Sequence, residues 1–295
     1  MQFDNRDHLR QFFTLIQEWV QDPSLLLTQS QRDILQQQIN KLIHYRAVVG
    51  VMGKTGVGKS SLCNALFGQD IAPTSDVDPC TRIPQAISLS QQQERGITLL
   101  DMPGVGESQQ RDEQYRELYQ RHLPQLDLVL WVIKADDRAL AIDERFYRDV
   151  VLPAIWQSGT PILFVISQVD KLQPSRDWNW QTGQPGAQQQ LNLQAKRAQL
   201  MALFRIGEHQ LVATSAESQY GLATLVERIV LMLPNEKKWG FVRETRDEHI
   251  SVDTWRQTGT GLWQAIKDTA KRVVGNAWRV VKTAVLGRLA KWLGA

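Results

Sequence analysis

The residues whose types and spacing indicate chemistry begin at Gly53. Residues 53–60 read G-K-T-G-V-G-K-S, which matches the phosphate-binding pattern G-x-x-x-x-G-K-S. A β-branched run at 47–52 precedes this loop, and 61–67 follows it with helical spacing that ends at Gly68. In a strand–loop–helix unit the glycines let backbone N–H groups converge on phosphate oxygens at a helix N-terminus. The pattern therefore predicts a nucleotide-binding loop.

Two side chains of this loop have distinct expected roles. Lys59 is expected to reach the β- and γ-phosphates and to act in catalysis, and the Ser60 hydroxyl is expected to coordinate Mg²⁺. The residues that we predict to contact the nucleotide here are Gly53, Lys54, Thr55, Gly56, Val57, Gly58, Lys59, Ser60 and Ser61.

A second motif, D-M-P-G, follows a predicted strand at 97–100. Asp101 is placed to hold the metal, and the Gly104 N–H is placed to bond the γ-phosphate. Upstream, Thr81 lies just before a predicted strand at 83–90, where a threonine can bond both Mg²⁺ and the γ-phosphate. Thr74 is the alternative for that role. We favour Thr81, because it adjoins the start of the strand.

Two further strand ends carry residues that suit recognition of a base. S-Q-V-D ends the predicted strand at 161–167, so Asp170 can accept hydrogen bonds from guanine N1–H and its exocyclic amine. Adenine has an acceptor at the first position and no amine at the second, so a carboxylate discriminates against it. Ser215 and Ala216 follow the last predicted strand, where a backbone N–H can reach the guanine carbonyl.

Strands alternate with helices from the phosphate loop onward. The alternation predicts an α/β fold with a doubly wound, mostly parallel sheet. Two amphipathic stretches in the first 45 residues indicate N-terminal helices that pack on the core, with a partner-binding hairpin as the alternative. The predicted domains are an N-terminal helical extension at 1–45, a nucleotide-binding domain at 46–233, a linker at 234–258 and a basic amphipathic helical tail at 259–295.

In chain order, G-K-T-G-V-G-K-S, Thr81, D-M-P-G, S-Q-V-D and Ser215-Ala216 resemble the five guanine-nucleotide motifs of the Era/TrmE-like branch of translation-factor-related small GTPases. The resemblance covers about 45–233. The runs G-K-T-G-V-G-K-S-S-L-C-N-A-L-F-G and D-L-V-L-W-V-I-K-A-D-D-R-A are similar to a prophage-associated bacterial GTPase group labelled YfjP/YeeP. The resemblance implies a Ras-like fold that binds GTP or GDP with Mg²⁺ and hydrolyses GTP.

Three positions depart from the pattern of that family. Gln168 stands where the motif usually has a lysine that packs over the base; the resemblance implies that the Gln168 amide stacks there instead, with weaker guanine affinity. Val105 stands where many GTPases have a water-orienting glutamine, so intrinsic turnover is expected to be slow. Gly56 replaces the asparagine of potassium-stimulated members, so we expect no potassium dependence. Candidate residues to stabilise charge in the reaction are Lys54, Arg82, Arg111 and Arg138.

The composition is that of an ordinary soluble protein, with 42% hydrophobic and 22% charged residues. Cys63 and Cys80 have no metal-binding spacing. The longest apolar runs, such as 128–133, have strand length and are too short to span a bilayer. The N-terminus carries acids and no apolar segment, so we expect no signal peptide. A cytoplasmic location is predicted.

The C-terminal tail concentrates positive charge and tryptophan. The net charge is +3, but 259–295 holds seven basic residues and one acid, which gives this tail +6. Its apolar residues share one arc of a helical wheel: Trp263, Ile266, Ala270, Val273, Val274, Ala277, Val281 and Ala284. Contact with an anionic membrane surface is the favoured interpretation. Docking of the apolar face on the rest of the chain and binding of RNA or the ribosome are the alternatives.

The leading functional prediction is a Mg²⁺-dependent GTPase that acts as a slow molecular switch, hydrolysing GTP to GDP and phosphate. Its tail would address the inner membrane surface or a partner. The alternatives are an Era-like GTPase that associates with the ribosome or RNA, and a GTP sensor with negligible hydrolysis. The sequence indicates no particular oligomeric state.

Overall fold

The computed structural model describes residues 14–25, 27–68, 85–89, 97–101, 116–117 and 119–275. The main helices are 14–21 (α1), Gln29–Ile43 (α2), Lys59–Phe67 (α3), Ala141–Phe146 continued through a π-helical turn into Leu152–Ser158 (together α4), Ala187–Phe204 (α5), Leu222–Met232 (α6), Asn235–Val242 (α7) and Val252–Val274 (α8). The strands are Ala47–Met52 (β1), Gln85–Leu89 (β2), Ile97–Asp101 (β3), Leu128–Lys134 (β4), Ile162–Ser167 (β5) and Leu211–Ala213 (β6). Residues 119–122 form a further helical turn before β4.

The strands form one six-stranded sheet in the order β2-β3-β1-β4-β5-β6. All neighbouring pairs are parallel except β2 with β3, which is antiparallel. The predicted α/β fold with a mostly parallel sheet is confirmed. Parallel strands bring their carboxyl ends to one edge, and β1 lies between β3 and β4 where the strand order reverses. Among the described residues, the sheet therefore places the phosphate loop, Asp101, the S-Q-V-D segment and Ser215–Ala216 along one edge.

Alternate residues of the central strands belong to two separate hydrophobic cores, one on each face of the sheet. In β4, Leu128, Leu130 and Val132 pack with α2, α3, α6, α7 and α8, whereas Val129, Trp131 and Ile133 pack with α4 and α5. This alternation is the two-residue period of a strand covered on both faces. Trp131 is fully buried against Tyr147, Phe164 and Phe204. Both faces of the sheet are thus closed by helices, as the predicted fold requires.

The N-terminal helices belong to the first of these cores. Thr28 and Gln31 form a capping box that starts α2. Leu35, Ile39 and Ile43 then follow at four-residue spacing and are buried. The expected packing of this region on the core is therefore what the structure shows for residues 14–25 and 27–45, and residues 1–13 lie outside the described residues.

A buried carboxylate fastens the start of β4 to both flanking segments. Asp127 accepts hydrogen bonds from the Tyr45 hydroxyl at 2.9 Å and the Val48 N–H at 2.8 Å, and it pairs with Lys237 Nζ at 2.5 Å. Burial, together with the charge of Asp127, raises the pKa of the Tyr45 hydroxyl. Three distant parts of the chain therefore meet at one charged group.

The stretch 234–258 differs from the expected linker. It contains α7 and the first turns of α8, separated by a short turn that includes Asp247–His249. Trp239, Phe241 and Val242 of α7 are buried. The sequence did not predict α7, because this helix is short and has only three large apolar residues. Residues 234–258 are a packed layer of the fold.

The tail docks on the rest of the chain as far as the structure describes it. Leu262, Ile266, Ala270 and Val274 of α8 are buried, and α8 packs against α2, α6 and α7. The apolar arc predicted to enter a membrane is thus covered by protein up to Val274. Ala277, Val281 and Ala284 lie outside the described residues. Among the helices of the described part, none is both long and apolar enough to cross a membrane.

Candidate nucleotide-binding site

The loop between β1 and α3 has a backbone shaped by its glycines. Gly53, Gly56 and Gly58 have φ angles of 139°, 78° and 88°. A Cβ at Gly53 would overlap the carbonyl oxygen of Val132, so a side chain is excluded there by both the close approach and the conformation. The sheet thus holds the start of the loop against β4.

The N-terminus of α3 suits an anion. Gly58 occupies its N-cap position, no side chain of the described residues caps it, and its first turn has no acidic residue. The first N–H groups of a helix have no intrahelical partner and carry partial positive charge. Lys59 Nζ donates to the carbonyl oxygens of Gly53 and Lys54 at 3.2 Å, so its ammonium lies across the loop. Loop, helix end and ammonium together fit the phosphates of a nucleotide.

Gln168, which was predicted to contact the base, and its neighbour Ser167 are bonded directly to the phosphate loop. Ser167, at the carboxyl end of β5, donates its hydroxyl to the Val57 carbonyl oxygen at 2.6 Å. Gln168 has a left-handed backbone conformation, and its Nε2 donates to the Gly56 carbonyl oxygen at 3.2 Å. The role of Ser167 was not predicted, because a small polar residue at a strand end gives no sign of its distant partner. These bonds fix the base-reading loop relative to the phosphate loop.

Asp170 and the Ser215–Ala216 turn lie at the ends of neighbouring parallel strands. Asp170 is buried in a short turn after β5, and none of the hydrogen bonds among the described residues uses its carboxylate. The Val169 N–H donates to the Thr214 carbonyl oxygen at 3.2 Å, which ties the two strand ends together. Ser215 is buried, and its N–H donates to the Tyr220 carbonyl oxygen at 3.0 Å. The predicted base-reading residues are thus grouped at one edge of the sheet.

The residues predicted to hold Mg²⁺ are described in part. Ser60 is the second residue of α3, and Asp101 is the last residue of β3, paired in register with Val51 of β1. In the described part of the chain no cluster of three or more His, Cys, Asp or Glu side chains is present. A single hydroxyl and a single carboxylate suit a cation that takes its other ligands from phosphate and water. Thr81, its competitor Thr74, Gly104, Val105, Arg82 and Arg111 lie outside the described residues.

Lys54, a candidate charge stabiliser, is engaged by two carboxylates of the segment after β4. Its Nζ lies 2.6 Å from Asp143 Oδ2 and 3.0 Å from Asp137 Oδ2. Asp143 lies in the first turn of α4, whose N-cap residue is Leu140, and its side chain is buried. The ammonium of Lys54 therefore supports the phosphate loop from the side of α4. Arg138, another candidate, is exposed.

The pKa directions of this ion-paired group follow from burial and charge. Burial raises the pKa of Asp143, and the pairing with Lys54 offsets part of that rise. Burial also acts to raise the pKa of Asp137, but hydrogen bonds from Lys54 and the Ala139 N–H outweigh it, so that pKa is lowered. For Lys54 the two carboxylates outweigh burial and raise the pKa. Both ends of the contact with Asp137 are therefore held in their charged forms.

Comparison with known proteins agrees with this geometry. The sequence model of the 50S ribosome-binding GTPase family matches residues 48–168. A crystal structure of a variant of Aquifex aeolicus Era bound to GDP·AlF4⁻ shares 25% identity and has a TM-score of 0.48, covering 63% of this chain and 56% of its own.

Two proteins of Escherichia coli K12 are more similar in sequence. YkfA is 50% identical over 202 residues, which cover 68% of this chain and 67% of YkfA. YfjP is 49% identical over 200 residues, which again cover 68% of this chain and 67% of the relative. These matches, together with the family model, confirm the predicted resemblance to Era-like GTPases and to the YfjP/YeeP group. The chain belongs to the Era-like family of P-loop GTPases, in the group that includes YkfA and YfjP.

Proposed function

We propose that this protein binds GTP with Mg²⁺ and hydrolyses it slowly to GDP and phosphate, as a molecular switch. The observation that carries the proposal is the direct bonding of Gln168, which would contact the base, and of its neighbour Ser167 to a phosphate loop that opens on an uncapped helix. A site built in this way fits a nucleotide as a whole, with phosphate and base read by parts whose separation is fixed. Residues 46–233 would form the GTP-binding domain.

The residues of the chain would divide the work as follows. Loop N–H groups and Lys59 would hold the β- and γ-phosphates. Asp170 would accept from guanine N1–H and the exocyclic amine, and the Ala216 N–H would donate to the guanine carbonyl oxygen. Ser60, Thr81 and Asp101 would hold Mg²⁺, which neutralises charge that develops on the phosphates.

Hydrolysis is proposed to be slow because Val105 has no group that can orient water. Lys54 is engaged by Asp137 and Asp143 in this structure, so its ammonium acts on the loop rather than on developing charge. The water-orienting group would then come from a backbone N–H near Gly104 or from a partner.

The decisive experiment compares nucleotide binding and phosphate release by the wild type and Lys59→Ala. We expect the wild type to bind GDP and GTP but not ATP, and Lys59→Ala to lose binding by about a hundredfold, as loss of a charge-assisted contact of about 3 kcal/mol predicts. Lys41→Ala, at an exposed lysine of α2, is the matched control. Tight ATP binding would exclude the role of Asp170, and phosphate release equal to that of Lys59→Ala would favour a sensor that does not hydrolyse GTP.

We propose a second role for the tail, as an electrostatic contact with an anionic membrane surface. The supporting observation is that Lys271 and Arg272 are exposed at the end of α8, within a segment of net charge +6. Because the apolar face of α8 is buried, the contact would use the basic face. Lys271→Gln/Arg272→Gln should weaken flotation with anionic liposomes about tenfold or more, at about 1 kcal/mol for each charge. Equal flotation of both proteins would exclude this role.

A ribosomal or RNA partner is the remaining candidate, and the description of the matched family, 50S ribosome-binding GTPase, supports it. Co-sedimentation of the GTP-bound protein with purified ribosomal subunits tests this role. Binding that disappears with GDP would favour it over membrane contact.

A further inference from the structure

A buried glutamine, Gln189, lies 19 residues after Asp170 in the sequence. The Gln189 side chain, in the first turn of α5, is fully buried. Its Nε2 donates to the Leu172 carbonyl oxygen at 2.7 Å and to that of Asp170 at 3.4 Å. Its Oε1 accepts from the Gly186 N–H at 3.3 Å. One amide group thus joins the backbone of Asp170 to both ends of the insertion that separates β5 from α5.

The same insertion also supports the loop after β6. Trp178 is buried, and its ring packs edge-on against Tyr220 with centroids 5.6 Å apart. Gly183, at φ +64°, lies so close to the Ser218 carbonyl oxygen that a Cβ there would be 3.1 Å from it. The Tyr220 carbonyl oxygen in turn accepts from the Ser215 N–H. The insertion therefore touches the turn that carries Ser215 and Ala216.

We propose that Gln189 and Trp178 are positioning residues for guanine recognition, which hold the backbones of Asp170 and of the Ser215–Ala216 turn at a fixed separation. This inference rests on the proposed function, because it concerns the same site. We call these two residues, together with Gly183 and Tyr220, the bracket.

How strongly the site discriminates between bases depends on how rigidly its hydrogen-bonding groups are held. A carboxylate that accepts two hydrogen bonds from guanine loses one when the exocyclic amine is absent, and the penalty depends on how firmly the acceptor is held. Strand-end loops are mobile unless they are tied down. A buried amide with all its partners supplied makes a rigid tie, and removing it leaves buried backbone groups without partners. Changes in the bracket are therefore expected to alter selectivity for guanine more than affinity for the phosphates.

The test compares dissociation constants for GDP and IDP, because inosine lacks only the exocyclic amine. Gln189→Leu is expected to weaken GDP binding about tenfold and IDP binding much less, so that the IDP/GDP ratio falls at least about threefold from the wild-type value. Gln188→Leu, at the exposed neighbouring position on α5, is the matched control and should keep the wild-type ratio. Thermal unfolding of each variant checks that it is folded.

A second pair of variants keeps the inference testable if Gln189→Leu does not fold. Trp178→Phe retains an aromatic ring against Tyr220 and should keep the ratio, whereas Trp178→Ala should lower it. A wild-type ratio in Gln189→Leu or Trp178→Ala overturns the inference, and so does an equal loss of GDP and IDP affinity. A wild-type protein that binds IDP as tightly as GDP overturns the proposed function, and this inference with it.

Discussion

Lys54 shows how one side chain of a nucleotide loop can act on the protein rather than on the ligand. Its ammonium lies between Asp137, whose pKa is lowered, and Asp143, whose pKa is raised by burial. Asp143 is the more deeply buried of the two, with 2% of its side chain exposed against 17% for Asp137. A charge in that position is costly without a partner. Lys54 therefore stabilises the buried charge of Asp143, and Asp143 in turn holds Lys54 and the phosphate loop in place.

Replacing Lys54 with methionine is expected to destabilise the protein by about 2 kcal/mol, because a buried carboxylate loses its cation. The double variant Lys54→Met/Asp143→Asn should recover part of that loss, with a coupling energy of about 1 kcal/mol in urea unfolding. The rate of hydrolysis at saturating GTP should stay within about twofold of wild type, which separates support of the loop from charge stabilisation. Additive stabilities, or a large fall in that rate, would contradict this assignment.

The contact of Gly53 with Val132 leads to a second prediction at this scale. Gly53→Ala should destabilise the protein by roughly 1–3 kcal/mol and weaken GDP binding about tenfold or more, because the loop must move away from β4. Calorimetry and nucleotide titration measure the two effects. Gly159→Ala, also at a positive φ but with open space around its Cα, is the control for backbone strain alone. Equal effects on nucleotide binding would mean that the close approach is unimportant.

At the scale of elements, the helix that follows the phosphate loop ends on the C-terminal layer. The Leu66 carbonyl oxygen accepts from the Arg246 N–H at 3.0 Å, and the Ala65 carbonyl oxygen lies 3.0 Å from His249 Nε2. Phe67 packs edge-on against Phe241. The far end of α3 is thus held by the segment that connects α7 with α8.

His249 makes this joint sensitive to pH. Burial lowers its pKa, opposed in part by the Ala65 carbonyl oxygen and Glu248 and reinforced by Arg246. The unfolded chain therefore takes up the proton first as pH falls below about 6.5, and stability that is complete above that pH is lost as the pH falls further toward the folded-state pKa. The unfolding free energy of His249→Gln should fall less than that of wild type between pH 7.5 and 5.5. Parallel losses in the two proteins would show that His249 does not titrate on unfolding.

The strands were predictable because each is a short apolar run between polar turns. The strands predicted at 47–52, 83–90, 97–100 and 161–167 each begin within two residues of that position. Elements that depend on distant partners were not predictable: α7 has only eight residues, three of them charged, and is stabilised by contacts with β1, α2 and α8. In the site, the pattern G-x-x-x-x-G-K-S specified its own loop, but the bonds of Ser167 and Gln189 join residues that no local pattern relates. Residue spacing identifies a motif, whereas the contacts that hold the motif in place depend on the three-dimensional fold.

At the scale of the whole molecule, α8 closes the core that the N-terminal helices begin. The apolar arc of this helix was read correctly, but the same arc suits a membrane or a protein surface, so the sequence left its partner open. Leu262 and Ile266 are fully buried in the cluster that contains Leu35 and Ile39 of α2. The helix is therefore part of the folded unit.

Truncating one of these side chains tests that conclusion. Ile266→Ala should lower the unfolding free energy by about 2–5 kcal/mol, the usual cost of a cavity in a packed core. Lys271→Ala, at an exposed position one turn further along α8, should change it by less than about 0.5 kcal/mol. Urea unfolding followed by tryptophan fluorescence measures both. A small effect of Ile266→Ala would mean that α8 is only loosely attached.

The packing of α8 on α2 has a consequence for how the protein is made. Helix α2 ends at Ile43, and its partner α8 begins at Val252. At about 5–20 residues per second, the ribosome needs on the order of 10–40 seconds to synthesise the intervening chain. Throughout that interval the apolar stripe of α2 lacks one of its covering helices. Nascent and prematurely terminated chains thus present a hydrophobic surface that chaperones and proteases can recognise, so quality control can tell a finished molecule from an unfinished one.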